Sequence, residues 1–321
     1  MALFLAHFPA PALQLIFAGL SVHDTTCLCA VLAADPTGTT RSFHELQVEA
    51  FSSQLRLNRK PASLMFEWME TVDDDGEVFS EALRDYPSEK LCELARHERE
   101  ELSENDVVLR SLACMLSGDG SGCSAPFVSY VARGDGGIRE TGMILVDQLA
   151  RKGIVDASGH TDFLWSLLCE GCSRNDNQLF RTSVSRLGRC VHTSDREALR
   201  TRASECLVVW TDARYAANGD DEGQEALIER IDALIADFGA DPSFTSPELY
   251  FTPLSKACTD GLEKVARHLV KRHGVRPTTS PDDVLRCCLK TARFSSNRTL
   301  ELFIIRELYR RPRQRATQKD V

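Results

Sequence analysis

The chain has 321 residues, 43% hydrophobic and 26% charged, which is the composition of an ordinary soluble globular protein. Aromatic residues account for only 7%, too few for a typical β-sandwich or barrel. The net charge is −9, yet residues 250–321 hold 16 basic against 7 acidic side chains. We expect solvated helix faces and a basic tail there, with a surface for an acidic partner as the alternative. The aromatic residues of this stretch do not alternate regularly with its basic side chains, so nucleic-acid binding is not predicted.

The twelve cysteines indicate a compartment and argue against a disulfide scaffold. They do not fall into framework spacings, and several lie inside apolar helical runs, so we expect reduced thiols in an intracellular protein of the cytoplasm or nucleus. The first twenty residues carry no charge. No Lys or Arg precedes their apolar run, and Pro9 and Pro11 interrupt it, so neither a signal peptide nor a membrane span is predicted.

The amino terminus has the spacing of two amphipathic helices. Apolar residues recur at i, i+3, i+4 and i+7 from Leu13 to Leu20, and Asp24 can cap a second helix that continues the apolar face. Pro36 and Gly38 then break the chain. This predicts a compact unit of roughly 40 residues, near the lower limit for a core that stands alone. We therefore expect it to need a partner.

The order of residues in FPAPALQLIFAGLSVHDTTCLCAV resembles an F-box over residues 7–45. The resemblance departs from the family at Phe8, which replaces a leucine, and after Val31, where LAADPTGTT stands in place of Cys-Arg-x-Trp. It implies docking to a Skp-type adaptor of a cullin–RING ubiquitin ligase, with Phe17 as a binding hot spot. The implied partner-binding residues are Phe8, Pro9, Leu13, Ile16, Phe17, Leu20, Leu28 and Val31. The alternative is an ordinary amphipathic cap.

The segment from 46 to 104 is the least informative part of the sequence. LMFEWMETV at 64–72 is a helix candidate, and a second helical stretch from 79 to 94 is interrupted at Tyr86-Pro87. The segment could be a linker, a degenerate repeat or the rest of an extended F-box domain.

Helix pairs recur from about residue 105 onward. The predicted pairs are 107–116 with 138–153, 162–172 with 178–191, 206–217 with 225–239, and 283–293 with 298–311. Equivalent second helices are about 40 residues apart, longer than the roughly 33 of regular ankyrin repeats. Such pairs cannot bury their apolar faces alone, so they predict a stack with loop insertions along one edge.

Residues 252–274, TPLSKACTDGLEKVARHLVKRHG, carry the strongest local signal. Thr252 can cap a helix that begins at Pro253, and glycines end both helices. The segment resembles an ankyrin repeat, although Ser255 replaces the histidine of that family. The preceding Gly239-Ala240-Asp241 matches the end of a further repeat. The matching positions are Thr252, Pro253, Leu254, Ala257, Gly261, Leu262, Val265, Leu269 and Gly274.

Metal chemistry has two candidate sets of residues, and neither is favoured. Cys169, Cys172, Cys190 and His192 offer four zinc-type donors, but the second pair is one residue apart, which is a poor chelating geometry. His268 and His273 flank an apolar helix face without a carboxylate or cysteine partner at a set spacing, so we expect solvent-facing or loop histidines. The sequence predicts no metal, no cofactor and no catalytic residue.

Taken together, the sequence predicts an all-α protein with an F-box-like domain at 1–45, a linker or degenerate repeat at 46–104, ankyrin-like repeats at 105–312 and a basic tail at 313–321. The expected function is recruitment of a protein target to a ubiquitin ligase, not enzymatic catalysis. Proteins that resemble this pairing of an F-box with ankyrin repeats occur among pathogen and viral host-manipulation factors and among ordinary cellular proteins. An ankyrin-type scaffold without a ligase is the first alternative, and a zinc-dependent enzyme or module is the second.

Overall fold

The computed structural model describes residues 10–34, 41–71, 76–118, 125–190, 196–212, 221–278 and 286–310. Within these ranges the chain forms seventeen α-helices and no β-strand, which confirms the predicted all-α class. None of the described helices combines the length and apolarity needed to cross a membrane. Contacts divide the chain into unit 1, Met1–Leu167, and unit 2, Leu168–Val321. This division differs from the predicted boundaries at residues 45 and 104.

In the part of unit 1 that the structure describes there are nine complete helices: α1 (Ala10–Gly19), α2 (Val22–Ala33), α3 (Phe43–Leu57), α4 (Pro61–Thr71), α5 (Glu77–Arg84), α6 (Ser88–Glu101), α7 (Val107–Leu116), α8 (Ala125–Arg133) and α9 (Gly136–Arg151). The unit division falls inside α10 (Ala157–Ser173). Local signals account for several of these helices. Ser42 and Glu45 form a reciprocal capping box at the start of α3, and Ser21, three residues before the predicted cap at Asp24, caps α2.

The core of unit 1 is built around α3, which packs against α1, α2, α4 and α5. Phe51 on α3 contacts Phe79 edge-on, with ring centroids 4.9 Å apart, and lies 5.2 Å from the ring of Trp68. All three rings are buried. Such aromatic clusters contribute large apolar area together with favourable edge-to-face geometry.

The side chain of Gln54 joins the amino-terminal helices to this core. Its amide nitrogen donates to the carbonyl oxygens of Phe17 and Leu20 and to the hydroxyl of Thr25, at 3.1, 3.0 and 2.9 Å. Its amide oxygen accepts from the indole N–H of Trp68 at 2.8 Å. Residues 10–34 therefore share one buried polar network with α3 and α4. The boundary at residue 45 stays a prediction.

Unit 2 contains α11 (Asn177–Cys190), α12 (Arg196–Trp210), α13 (Asp221–Phe238), α14 (Pro253–Thr259), α15 (Glu263–Arg272), α16 (Cys288–Phe294) and α17 (Arg298–Leu308). Consecutive helices pair as α12 with α13, α14 with α15, and α16 with α17. The pairs stack in two rows, one formed by α12, α14 and α16 and the other by α11, α13, α15 and α17. Each helix buries its apolar face against its pair and its row neighbours, as helical-repeat architectures require.

Three described turns between consecutive helices have the same backbone geometry. Asn175, Gly261 and Ser296 have φ of 57°, 72° and 55°, and each lies two residues after one helix and two before the next. The N–H of Asp176 donates to the carbonyl of Gly171 at 2.8 Å, and the N–H of Leu262 donates to that of Ala257 at 2.9 Å. These hydrogen bonds give partners to carbonyl groups that have none within the helix. They can form because the residue of positive φ turns the chain back toward the helix end.

The repeat length at the carboxyl-terminal end is 35 residues. Gly239 and Gly274 are 35 positions apart, have the same φ of 68° and end α13 and α15. Gly261 and Ser296 show the same spacing in the two following turns. The sequence-based estimate of about 40 was too long for these repeats, because it was averaged over pairs whose connections differ in length.

Two other sequence-based assignments differ from the structure. The stretch between 116 and 138, interpreted as an insert, contains the helix α8. The helix predicted at 206–217 is α12, which begins ten residues earlier, at Arg196. In α8 a short apolar run follows a glycine- and serine-rich segment, which obscured the periodicity. In α12 the first two turns are mostly polar, so no apolar pattern indicated their start.

Candidate partner-binding surfaces and a histidine–aspartate cluster

The predicted amino-terminal binding face is largely used inside unit 1. Phe17 has 0% exposure and Leu13 has 4%, because α1 packs against α3. Ile16, Leu20 and Leu28 are half-buried. Phe17 therefore belongs to the core, and its predicted role as an exposed hot spot needs correction. Phe8 and Pro9 lie outside the described residues.

Two apolar side chains of the amino-terminal helices do face solvent. Leu15 on α1 is 69% exposed, and Val31 on α2 is 47% exposed. A helix that buries Leu13 and Phe17 presents Leu15 on its opposite side, since residues two apart point in different directions. Val31 belonged to the predicted face, whereas Leu15 did not.

The signature residues of the 252–274 segment have structural positions in unit 2. The hydroxyl of Thr252 accepts from the N–H of Ser255 at 3.1 Å, and Pro253 is the first residue of α14. Gly261 and Gly274 adopt positive φ at the two helix ends. The apolar members of the signature are fully or almost fully buried: Leu254, Ala257, Leu262, Val265 and Leu269.

Ser255 compensates for the histidine that the resemblance would place there. Its hydroxyl accepts from the backbone N–H of Thr252 at 2.8 Å, which completes a capping box with the Thr252 hydroxyl. Both side chains are buried. The departure from the family pattern thus exchanges one local hydrogen bond for another, and both orphan donors at the start of α14 have partners.

Large apolar side chains are exposed on the last pair and on the connection before α14. Phe294 at the end of α16 is 79% exposed, and Tyr309 after α17 is 80% exposed. Tyr250 has a φ of 57°, and the guanidinium carbon of Arg286 lies 5.9 Å from its ring centroid. Tyr250 precedes α14 and Arg286 precedes α16, so this contact joins the described ends of two successive connections. Such an edge is where solenoid proteins commonly bind partners.

The cysteines considered as zinc-type donors, and not favoured, form no cluster of three metal-ligating side chains within the described residues. The side chain of Cys190 and the whole of His192 lie outside them. A hydrogen bond from Cys206 lowers the pKa of Cys169, whereas burial raises the pKa of Cys172 to about 12. Burial suits a neutral thiol and disfavours the thiolate that a metal requires.

A cluster of two histidines and one aspartate, Asp232, His268 and His273, lies in unit 2. The Nε2 atoms of both histidines lie 2.7 Å from the same oxygen, Oδ1 of Asp232. Asp232 is on α13, His268 is on α15, and His273 follows the last residue of α15. Each of the three residues is half-buried. Both histidines therefore have the carboxylate partner that sequence spacing did not reveal.

Electrostatics favour the charged form of this aspartate. Desolvation acts against ionisation, but the hydrogen bonds from His268 and His273 outweigh it and lower the pKa of Asp232. The Nε atom of Arg272 lies 3.5 Å from the other carboxylate oxygen, Oδ2. The two carboxylate oxygens of Asp232 thus contact different groups: Oδ1 contacts the two imidazoles, and Oδ2 contacts the guanidinium of Arg272.

Sequence reasoning missed this cluster because its members can be related only when the length of the repeat is known. Asp232 and His268 are 36 residues apart, one repeat plus one position. Residues so spaced lie on adjacent helices of one row, which is evident only when the 35-residue repeat is known. Local motif spacing could not supply that partner.

Comparison with known proteins adds no family to this picture: no protein-family model, no curated protein and no solved structure matches the chain.

Proposed function

We propose that the chain is a protein–protein interaction adaptor whose unit 2 recruits a protein target through an ankyrin-like stack of helix pairs. The observation that carries this proposal is the two-row stacking of α11–α17 with its 35-residue register. In such a stack each pair contacts only its neighbours, so the fold builds an extended surface. Extended surfaces of this kind suit recognition of another macromolecule.

The ankyrin-like assignment is supported by the 252–274 segment. A Thr-Pro start, a capped short helix, a left-handed glycine turn and a second helix follow one another in the order that the resemblance implies. The same turn device recurs at Ser296, one repeat later. A recurring unit that cannot bury its apolar face alone is the physical basis of a repeat protein.

The exposed aromatic side chains define the target-binding surface in this proposal. Tyr250, Phe294 and Tyr309 are exposed and large, and aromatic anchors of this type dominate binding energies at many interfaces. Leu249 and Leu302 are exposed apolar residues of the same two regions. A partner that covers these side chains would remove their apolar area from water, which favours binding.

This proposal is tested by quantitative capture with the full chain. Tagged wild type and a Phe294→Asp/Tyr309→Asp variant are compared for the proteins that they retain from cell extract, and the retained protein is then purified and titrated. We expect at least tenfold weaker binding by the variant, since each anchor contributes on the order of 2 kcal/mol. Leu57→Asp is the matched control, because Leu57 is 62% exposed but lies on α3 of unit 1. Equal retention by all three chains would refute the surface.

A narrower form of the proposal couples this recruitment to a ubiquitin ligase through a Skp-type adaptor. It is supported by the F-box-like residue order of the amino terminus and by the apolar side chains that remain exposed there, Leu15 and Val31. The core position of Phe17 makes Phe17→Asp an unfolding variant and not a test of docking. A Leu15→Asp/Val31→Asp variant tests docking without disturbing the core. A scaffold without a ligase is the alternative, and failure to bind the adaptor would favour it.

A further inference from the structure

We propose that Asp232, His268 and His273 form a binding site for a zinc-type divalent metal ion in unit 2. The ion would be held by two imidazole nitrogens and one carboxylate oxygen, with a fourth position open to water. This inference is independent of the protein-binding role, because it rests on the geometry of three side chains inside the helix stack.

The three candidate donor atoms already lie close to one another. Nε2 of His268 and Nε2 of His273 each lie 2.7 Å from Oδ1 of Asp232, and the ligand atoms all lie within 4.8 Å of one another. A tetrahedral zinc site with bonds of about 2.0–2.1 Å places its donors about 3.3 Å apart. Each nitrogen–oxygen distance thus needs to grow by roughly half an ångström, which small side-chain rotations supply.

The two imidazole rings approach from different directions. Their centroids are 5.2 Å apart and their planes are inclined by 68°. Rings that stacked face to face would point their nitrogens along parallel lines, whereas inclined rings can direct both nitrogens to one ion. In the hydrogen-bonded state each Nε2 carries the proton that it donates to Oδ1. Ion binding therefore requires neutral imidazoles protonated at Nδ1, so that both Nε2 lone pairs are free.

The backbone positions of the donors are fixed by regular structure. Asp232 lies in the last two turns of α13, which packs against α15, and His268 lies in the middle of α15. His273 occupies the C-cap position of α15, followed by the left-handed Gly274. Sites built on packed helices hold donors more accurately than sites on loops. The ion would join two adjacent repeats.

The surrounding charges direct the ion to one oxygen. Arg272 contacts Oδ2 of Asp232 with its Nε at 3.5 Å, and this contact orients the carboxylate from outside the site. The same guanidinium adds a positive charge that lowers cation affinity, but its side chain is 68% exposed, so solvent screens it. The donor set of two imidazoles and one carboxylate favours zinc, cobalt, nickel or copper over magnesium or calcium, which prefer oxygen-only ligands.

The test is titration of the metal-free full chain with Co²⁺ and then displacement by Zn²⁺. We expect one tight site with visible ligand-field absorption and without the near-ultraviolet band of thiolate ligation, since no cysteine belongs to the cluster. His273→Gln should weaken Co²⁺ binding at least tenfold. His160→Gln is the matched control, because His160 makes the same 2.7 Å contact with one aspartate, Asp147, and belongs to no three-residue cluster among the residues that the structure describes.

A second variant keeps the test decisive if His273→Gln folds poorly. Asp232→Asn preserves the size of the side chain and its hydrogen-bonding oxygen but removes the anionic ligand, so it too should weaken binding at least tenfold. The proposal is overturned if the wild-type chain binds no Co²⁺ at millimolar concentration. It is equally overturned if the bound metal shows a thiolate spectrum, or if its affinity is unchanged in both variants.

Discussion

Replacement of Gln54 by leucine would remove the polar network that joins the first two helices to the core of unit 1. Leucine is close to glutamine in volume, so packing is largely kept while four hydrogen bonds are lost. The substitution removes the partner that Gln54 provides to four groups: the carbonyls of Phe17 and Leu20, the hydroxyl of Thr25 and the indole N–H of Trp68. Because a net hydrogen bond contributes about 0.5–1.5 kcal/mol and an unpaired buried group costs about 1–3 kcal/mol, we expect a loss of about 3–5 kcal/mol.

The assay is urea unfolding of the full chain followed by tryptophan emission, which Trp68 reports directly because it donates to Gln54. Such a loss is a large part of the stability of a typical domain, so the transition of unit 1 should move to much lower urea. Gln14→Leu is the matched control, since Gln14 makes one long 3.4 Å contact with Glu49 and should change stability by less than about 0.5 kcal/mol. Equal stability of the two variants would refute the network, and with it the placement of residues 10–34 in unit 1.

Three further predictions concern helix ends and a partly buried lysine. Glu98, which accepts from the N–H groups of residues 62 and 63 at 2.7 and 2.8 Å, caps α4, so Glu98→Ala should lower the free energy of unfolding by about 2 kcal/mol in urea. Gly261→Ala should lower the free energy of unfolding by about 1 kcal/mol, because the φ of Gly261 is 72°. Gly188 lies in a helix with open space around it, so Gly188→Ala should raise the free energy of unfolding by up to about 1 kcal/mol. Equal melting temperatures of the two variants would contradict this. Desolvation opposes the shift, but hydrogen bonds to Asp260 and Asp212 raise the pKa of Lys256. The ion pairs of Lys256 therefore stabilise the fold fully at pH values below the ordinary lysine pKa, and this stabilisation is lost as the pH rises through the raised pKa. The difference in melting temperature between wild type and Lys256→Met should therefore be smaller at strongly alkaline pH than at pH 8.

The sequence predicted those parts of the fold that depend on local signals. The helix after Thr252 begins at Pro253, as its capping residues predict. The helix predicted at 107–116 has the same bounds in the structure. The interruption at Tyr86-Pro87 also separates two helices, because a residue before proline avoids helical geometry. Short-range rules were sufficient at each of these positions.

The parts that sequence reasoning missed depend on contacts between distant residues. Phe17 has the periodicity of an amphipathic face, but periodicity does not say whether the chain itself or a partner covers that face. The network of Gln54 spans 29 to 37 residues to its contacts in α1 and α2, so no local pattern announces it. The same holds for Asp232, whose histidine partners lie on the next repeat.

The most direct test of the ligase-adaptor account is isothermal titration of the full chain with a purified Skp-type adaptor. The account predicts a one-to-one complex that is weakened at least tenfold by Leu15→Asp/Val31→Asp and is unaffected by Leu57→Asp, since all three leucine and valine side chains are exposed but only the first two belong to the amino-terminal helices. A folded wild-type chain that does not bind the adaptor, or binding that survives the double substitution, would contradict it.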